Sequence, residues 1–285
     1  ILAATIAVPT IIGNGMSQSA ALFGAGVGTL VYQLFTRFKS PVYLGSSFAF
    51  LGSMGAAFAG AASVSAGHVG LIIGAAMAGL VYVVIAIVVK LVGVKWINKL
   101  MPPVVIGPTV ALIGLSLCGS AVNNLANIAV SADNYNLVHI LVGIIAFFIT
   151  VYASTKGSKN MKLIPFVIGI LGAYAIALVL TFIGKAADIA ALQIVNLAAF
   201  DGMGLIHVPN FTFVGMFKEG FSKFTGIGDV LSIFMLFAPV AFVVLAEHIA
   251  DHKNLSSIIE RDLITDPGLD RTLIGDGVGS IVGSF

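Results

Sequence analysis

The chain has 285 residues, of which 59% are hydrophobic and only 9% are charged. Soluble globular domains carry about 25% charged residues, so this chain cannot cover a water-facing surface and is predicted to be a polytopic membrane protein. The formal net charge of +2 is too small to indicate a nucleic-acid partner, and the single Cys118 cannot form a disulfide within the chain.

Helical spans are predicted wherever about 20 apolar residues follow one another, the length that crosses the hydrocarbon core. This criterion places spans near residues 1–12, 18–35, 41–62, 68–90, 102–121, 136–154, 163–184 and 229–250, with a ninth that begins near 271. The prediction is an all-α membrane chain with about eight and a half spans. Both ends fall inside apolar runs, so we expect the sequence to be part of a longer protein.

Basic residues indicate the orientation of the spans. Loops after even-numbered spans contain 11 of the 14 Lys and Arg residues, namely Arg37, Lys39, Lys90, Lys95, Lys99, Lys156, Lys159, Lys162, Lys253, Arg261 and Arg271. Loops rich in Lys and Arg stay in the cytoplasm. We therefore expect the N-terminus and the even-numbered loops on the cytoplasmic side of the inner membrane.

Span three is a poor continuous helix, because it contains several serines and four glycines, at positions 45, 52, 55 and 60. Its portion 43–50 is predicted to be extended. Non-helical backbone at membrane depth is tolerated only beside protein or a water-filled cavity, where its free N–H groups can hold a substrate oxygen. A close helix–helix contact made by small residues explains the same composition.

The long external loop 185–228 is rich in phenylalanine, with rings at Phe200, Phe211, Phe213, Phe217, Phe221 and Phe224. Aromatic rings favour the headgroup layer, which indicates an interfacial segment. A plain extracellular cap is an equally good interpretation, and we assign the loop no chemistry.

Glu247 lies near the end of span eight, two turns after Pro239, in a stretch with two carboxylates and two imidazoles. An ionisable side chain at bilayer depth is costly and typically lines a substrate or ion path. Asp251 is four residues further on and shares the same helix face. We therefore predict a polar site around Glu247.

The other ionisable residues of this region have competing interpretations. A solvated helix end beside Lys253 explains His252, whereas His248 and Asp251 could belong either to that end or to the site. Asp276 lies in the Gly-rich run 274–279 and could either cap a helix or line the site.

Four segments of the chain resemble the nucleobase–cation symporter family 2, also called the nucleobase–ascorbate transporters, and its bacterial uracil permease branch in particular. They are Tyr43–Phe50, the run from Pro102-Pro103 to Leu115, Ala246-Glu247-His248, and Asp262–Leu269. The resemblance keeps its spacing over essentially all 285 residues.

The resemblance implies fourteen spans in two inverted seven-span repeats, with a short strand in each of spans three and ten. It divides this chain into core-domain residues 1–92 and 229–285, gate-domain residues 93–184, and the external loop 185–228. Span ten, which carries the family's second binding carboxylate, is not in this sequence.

Site residues follow from the same resemblance by position. Glu247 is expected to bind the N–H groups of a pyrimidine and to couple transport to a proton, the backbone at Phe48 to donate to a substrate carbonyl, and Ala4 to line the pocket. Asp251 is expected to belong to the substrate site, although uracil permeases carry His at its position.

The implied function is import of uracil by proton symport, with no enzymatic activity and no cofactor besides the coupling proton. In a low-dielectric site the charged form of Glu247 is disfavoured, so we expect it to change protonation in the physiological range. Family members often pair as dimers, so a homodimer is expected by resemblance. Coupling to Na⁺ rather than H⁺ is left open.

Three other functions are alternatives to uracil import. A purine permease of the same family, for xanthine or uric acid, is the nearest alternative. An anion exchanger of the same fold would need a cation where Glu247 stands. A membrane metal-binding protein could use the histidines four apart, His248 and His252, but their order is not the H-E-x-x-H of a metalloprotease.

Overall fold

The computed structural model describes residues 2–126, 129–131, 134–135, 137–200, 208–223 and 226–284. Helices α1–α12 are, in chain order, Leu2–Ile12, Gln18–Thr36, Leu51–Ala59, Val64–Val92, Lys95–Leu100, Pro103–Ala126, Leu137–Thr155, Lys159–Leu163, Pro165–Ala186, Thr212–Phe221, Ile227–Ile259 and Leu269–Gly283. Within these ranges α2, α4, α6, α7, α9 and α11 are long and apolar enough to cross a membrane. The predicted all-α polytopic class is confirmed.

Span lengths follow the hydrophobic pattern, with one marked difference in α11. The predicted span 229–250 continues as helix to Ile259. The hydrophobic criterion measures only the part of a helix that lies in lipid, whereas residues 251–259 are polar enough to continue the same helix beyond it. The helix ends at Glu260, which has a left-handed φ of 58°.

Span three is interrupted. Residues 41–47 form neither helix nor strand, Phe48–Phe50 form one turn of 3₁₀-helix, and α3 follows directly. Residues 41–47, as described, pair with no strand, and their predicted partner in span ten is absent from this sequence. The short strand and the inverted repeat stay predictions.

The chain divides into two compact units, Ile1–Leu115 with Pro209–Phe285, and Ser116–Val208. In the first unit α12 packs against both α2 and α4. Glycines make these contacts close, because a Cβ on Gly28 would lie 2.7 Å from the Gly279 carbonyl oxygen, and one on Gly277 would lie 2.6 Å from that of Gly79. Small residues let backbones approach in this way inside a membrane.

The second unit is built on α7 packed along α9. The Oγ1 of Thr181 in α9 accepts hydrogen bonds from the backbone N–H groups of Ile194 (3.1 Å) and Val195 (3.0 Å), which holds the following loop against the helix. Strands β1 (Ala129–Ser131) and β2 (Asn134–Tyr135) form an antiparallel pair between α6 and α7. The predicted core and gate boundaries concern the intact protein and stay predictions.

Candidate functional site

Glu247 lies half-buried in α11 and faces the interruption in span three. Its Oε2 accepts a hydrogen bond of 2.7 Å from the hydroxyl of Ser47. The same hydroxyl oxygen accepts from the backbone N–H of Ala49 at 3.2 Å and so caps the 3₁₀ turn. Ser47 therefore links the carboxylate to the start of the half-helix, although the two residues are 200 positions apart in the chain.

Two polar groups at this point are unpaired within the described part of the chain. Among the described residues, the backbone N–H of Phe48 has no hydrogen-bond partner, and neither has Oε1 of Glu247. One is a donor and the other an acceptor. An arrangement of this kind suits a small planar molecule that offers both N–H and carbonyl groups.

The half-helix after the interruption is fixed to α11 by two contacts. The hydroxyl of Ser53 donates to the carbonyl of Leu236 at 2.7 Å. The rings of Phe50 and Phe237 stack with centroids 5.7 Å apart and planes inclined by 21°. Both contacts lie just before Pro239, where proline removes a helix hydrogen bond, so the half-helix packs against the weakened part of α11.

The buried His248, one residue from Glu247, pairs with the half-buried Asp276. The Nδ1 of His248 lies 2.8 Å from Oδ2 of Asp276, and its Nε2 lies 3.2 Å from Oγ1 of Thr272. Asp276 lies in the middle of α12, where it pairs with His248 of α11, and it does not cap a helix. The pair ties α11 to α12 directly behind the predicted site.

The expectation that His252 lies at a solvated helix end is wrong. His252 is only 2% exposed. Its Nδ1 donates to the carbonyl of His248 at 2.8 Å, and its Nε2 lies 3.0 Å from the hydroxyl of Tyr32 in α2. The helix does reach water beside it, at Lys253, but the face that carries His252 packs against α2.

The other two predicted site residues, Asp251 and Ala4, take no part in the contact between Glu247 and Ser47. Asp251 is exposed and accepts no hydrogen bond from the described residues. Ala4 is buried in α1, which packs against α2 and α3. A cavity of about 510 Å³ lies where α1 meets α2, around Thr10 and Gln18, and it contains none of the predicted site residues.

Metal binding gains no support from the arrangement of ligands. Across the described ranges, no group of three or more His, Cys, Asp and Glu side chains is placed to hold a metal ion. His68 donates to the carbonyl of Asn14 at 2.9 Å and packs edge-on against Phe58, so it has a structural role. His207 lies outside the described residues.

The external loop contains α10, which packs on the start of α4. Gly220 contacts the backbone of Ser65, whose hydroxyl donates to Glu219 at 3.2 Å. Phe217 and Phe221 are exposed, as an interfacial segment requires. Phe224 and the side chains of Phe200 and Phe213 lie outside the described residues.

The Asp-Pro-Gly-Leu motif lies in the segment between α11 and α12. Asp266 accepts hydrogen bonds from Lys39 (2.8 Å) and from Arg261. These two cations lower the pKa of Asp266 below its ordinary value of 3.8. The motif thereby connects the loop after α2 to the loop between α11 and α12.

Sequence reasoning did not identify three polar residues of α2, Thr29, Tyr32 and Gln33, which contact the interrupted span. Their signal was available, since they recur at i, i+3 and i+4 in an apolar helix. A glutamine at membrane depth is itself a reason to look for a buried partner.

Comparison with known protein families matches residues 1–285 to the one described as "Permease family". The chain is 36% identical over 283 residues to the uracil permease of Bacillus subtilis (strain 168) and 35% identical over 283 residues to that of Bacillus caldolyticus. Both alignments cover 99% of this chain and 59% of the relative. Identity to the uracil permease of Escherichia coli (strain K12) is 28% over 282 residues, 99% of this chain and 58% of that protein.

Proposed function

Because the chain belongs to this permease family, the nucleobase–ascorbate transporters that its motifs resemble, we propose that the intact protein imports uracil together with a proton. The chain spans 59% of the length of its two Bacillus relatives, which are named uracil permeases. The observation that carries the proposal is the 2.7 Å hydrogen bond between Ser47 and Glu247. It brings a membrane-depth carboxylate to the interruption in span three.

Uracil offers two N–H donors and two carbonyl acceptors on a neutral ring. In the proposed complex, Oε1 of Glu247 accepts from a uracil N–H, and the Phe48 N–H donates to a uracil carbonyl. Both protein groups lack a partner among the described residues, so substrate binding would satisfy them. Ala4 and Asp251 would line the same pocket.

Proton coupling is assigned to Glu247. A carboxylate at bilayer depth is costly when charged. A proton on Glu247 removes this cost, and the protonated carboxyl group keeps acceptor oxygens for hydrogen bonds from uracil and Ser47. Proton and uracil would then load the same residue before the site opens inward. In this proposal residues 1–92 and 229–285 form the moving core, residues 93–184 form the gate, and the N-terminus lies in the cytoplasm.

A purine permease of the same family is the second candidate. The resemblance to uracil permeases implies His where Asp251 stands, so the proton relay beside Glu247 differs in detail. Xanthine is larger than uracil but presents a similar edge of N–H and carbonyl groups. Competition between the two substrates distinguishes the candidates.

The test is uptake of labelled uracil by cells that express the full-length gene, with and without a protonophore. We expect uptake that the protonophore abolishes and that excess xanthine does not compete. Competition by xanthine would favour the purine permease, and uptake unaffected by the protonophore would remove the proton from the mechanism.

Glu247→Gln tests the assigned residue. A hydrogen bond to a charged group contributes about 1.5–3 kcal/mol, so we expect uracil affinity to fall by roughly 10- to 100-fold and proton-driven accumulation to be lost. Glu260→Gln, placed after the end of α11, is the matched control and should transport normally. A Glu247→Gln protein that still accumulates uracil against a gradient would contradict the assignment.

A further inference from the structure

The non-helical segment that leads into the site is held by side chains of α2. The hydroxyl oxygen of Thr29 accepts from the backbone N–H of Leu44 at 2.9 Å, while its proton is donated to the carbonyl of Ala25 at 2.6 Å. One side chain thus satisfies a backbone N–H of the interrupted span and anchors it to a full turn of helix.

Gln33 satisfies two more backbone groups of the same segment. Its Nε2 donates to the carbonyl of Ser40 at 2.8 Å and to the carbonyl of Val42 at 3.2 Å. A carboxamide nitrogen has two protons, so both are used. The N–H of Val42 also donates to the carbonyl of Ser40 at 2.8 Å, so residues 40–42 form a tight turn and Gln33 holds the carbonyls at both of its ends.

Tyr32 links the segment to the helix that carries Glu247. Its hydroxyl lies 2.8 Å from Oγ of Ser40 and 3.0 Å from Nε2 of His252 in α11. Tyr32 and Ser40 are fully buried, and His252 nearly so. The contact therefore joins three parts of the first unit: α2, the interrupted span and α11.

Unpaired backbone groups are strongly unfavourable in the hydrocarbon region. The partners of the backbone at 40–44 therefore determine the conformation of this segment, and with it the placement of the residues that follow. Thr29, Tyr32 and Gln33 share one face of α2. Thr29 and Gln33 occupy backbone groups of the segment, and Tyr32 contacts the side chain of Ser40. Ser47 and Phe48 begin only three residues beyond Leu44.

We infer that Thr29, Tyr32 and Gln33 are positioning residues that set the register of residues 40–44 and thereby direct Ser47 and the Phe48 N–H toward Glu247. This inference rests on the proposed function for the identity of the substrate. The position of residues 40–44 is independent of the proposed function, because it can be measured without a substrate.

Matched substitutions separate the hydrogen bonds from general packing. Thr29→Val removes the acceptor for Leu44 and keeps the side-chain shape, whereas Thr29→Ser keeps the hydroxyl. Gln33→Glu replaces two donated protons by a carboxylate that faces two carbonyls, whereas Gln33→Lys keeps donors. Thr36→Val is the control, because that buried α2 hydroxyl donates only to carbonyls of its own helix.

The first measurement uses no substrate. In full-length protein with Cys118→Ser, and with any cysteine outside residues 1–285 also replaced by serine, a cysteine introduced as Ser46→Cys is labelled with a membrane-permeant thiol reagent. We expect Thr29→Val and Gln33→Glu to change the labelling rate by about tenfold, the effect of about one lost hydrogen bond. Thr29→Ser, Gln33→Lys and Thr36→Val should stay within about twofold of the parent. Equal rates in all six proteins would overturn the inference.

The second measurement is uracil transport by the same variants without the cysteine changes. Loss of positioning should raise the KM for uracil by about tenfold at an unchanged amount of protein in the membrane, and Thr29→Ser and Gln33→Lys should restore it. An unchanged KM in Thr29→Val and Gln33→Glu would overturn the inference. If the parent protein does not take up uracil, the proposed substrate is wrong, and the labelling experiment still decides the positioning.

Discussion

The contact between α2 and α12 predicts opposite effects for two alanine substitutions on the same helix. A Cβ on Gly28 would lie 2.7 Å from the Gly279 carbonyl oxygen, whereas a Cβ on Gly26 would meet nothing within 4 Å. Ordinary contact begins at 3.4 Å, so Gly28→Ala requires the two backbones to move apart by about 0.7 Å, the difference between 3.4 and 2.7 Å.

The expected change in the free energy of unfolding is the sum of two opposing contributions. Alanine favours the helix over glycine by about 1 kcal/mol in either position. Overpacking a close contact costs about 1–3 kcal/mol and applies only at Gly28. Gly26→Ala should therefore stabilise the protein, and the difference in free energy of unfolding between the two variants should equal the packing cost, about 1–3 kcal/mol.

The assay is unfolding of the purified full-length protein in detergent, followed by denaturant titration or by melting temperature. Because both variants change the same residue type in the same helix, their helix-propensity gains cancel in the comparison. Equal stability of the Gly28→Ala and Gly26→Ala proteins would refute the argument that α12 is held in backbone contact with α2.

Two further predictions concern the hydrogen bond at Glu247 and the ion pairs of Asp266. Ser47→Ala removes the donor to Glu247 and the cap of the 3₁₀ turn, and loss of a cap costs about 0.5–2 kcal/mol; uracil KM should rise while Ser47→Thr stays near the parent, and equal kinetics of the two variants would contradict this role. Lys39 and Arg261 lower the pKa of Asp266 in the folded protein. The ion pairs therefore stabilise the fold fully at a pH above 3.8, the ordinary pKa of this group. This stabilisation is lost as the pH falls through the lower pKa of the folded protein. Asp266→Asn should therefore lower the melting temperature between pH 5 and 8. The difference in melting temperature between the parent and the variant should become smaller in acid and in high salt. A difference that depends on neither pH nor salt would contradict the ion pairs.

The spans could be predicted because hydrophobic length is set by the bilayer and not by tertiary contacts. Each predicted span contains a helix at its place, including the short α1 and the beginning of α12. The end of α11 could not be predicted in this way. The apolar residues stop near residue 250, whereas the helix continues to Ile259. The interruption in span three was visible in its glycines and serines.

The partners within the site could not be predicted. Glu247 was identifiable as an unusual carboxylate, but its hydrogen bond to Ser47 joins residues 200 positions apart. His252 was misread because sequence distance to Lys253 says little about which helix face meets α2. The polar residues of α2 carry no chemistry of their own, so their importance emerges only when the backbone groups of residues 40–44 are matched to donors and acceptors.

These contacts have a consequence for how access to the site can change. Tyr32 connects α2 to α11 through His252, while Gly28 packs α2 against α12. A Cβ on Gly279 would also lie 2.7 Å from the side chain of Leu44, so α12 supports the same segment that Thr29 holds. Glu247 and Phe48 are thus fixed to one set of packed helices, and they would separate only if several close contacts broke together. If the intact protein alternates between outward and inward access, the two binding groups should travel as one body, with the substrate held between them at constant spacing.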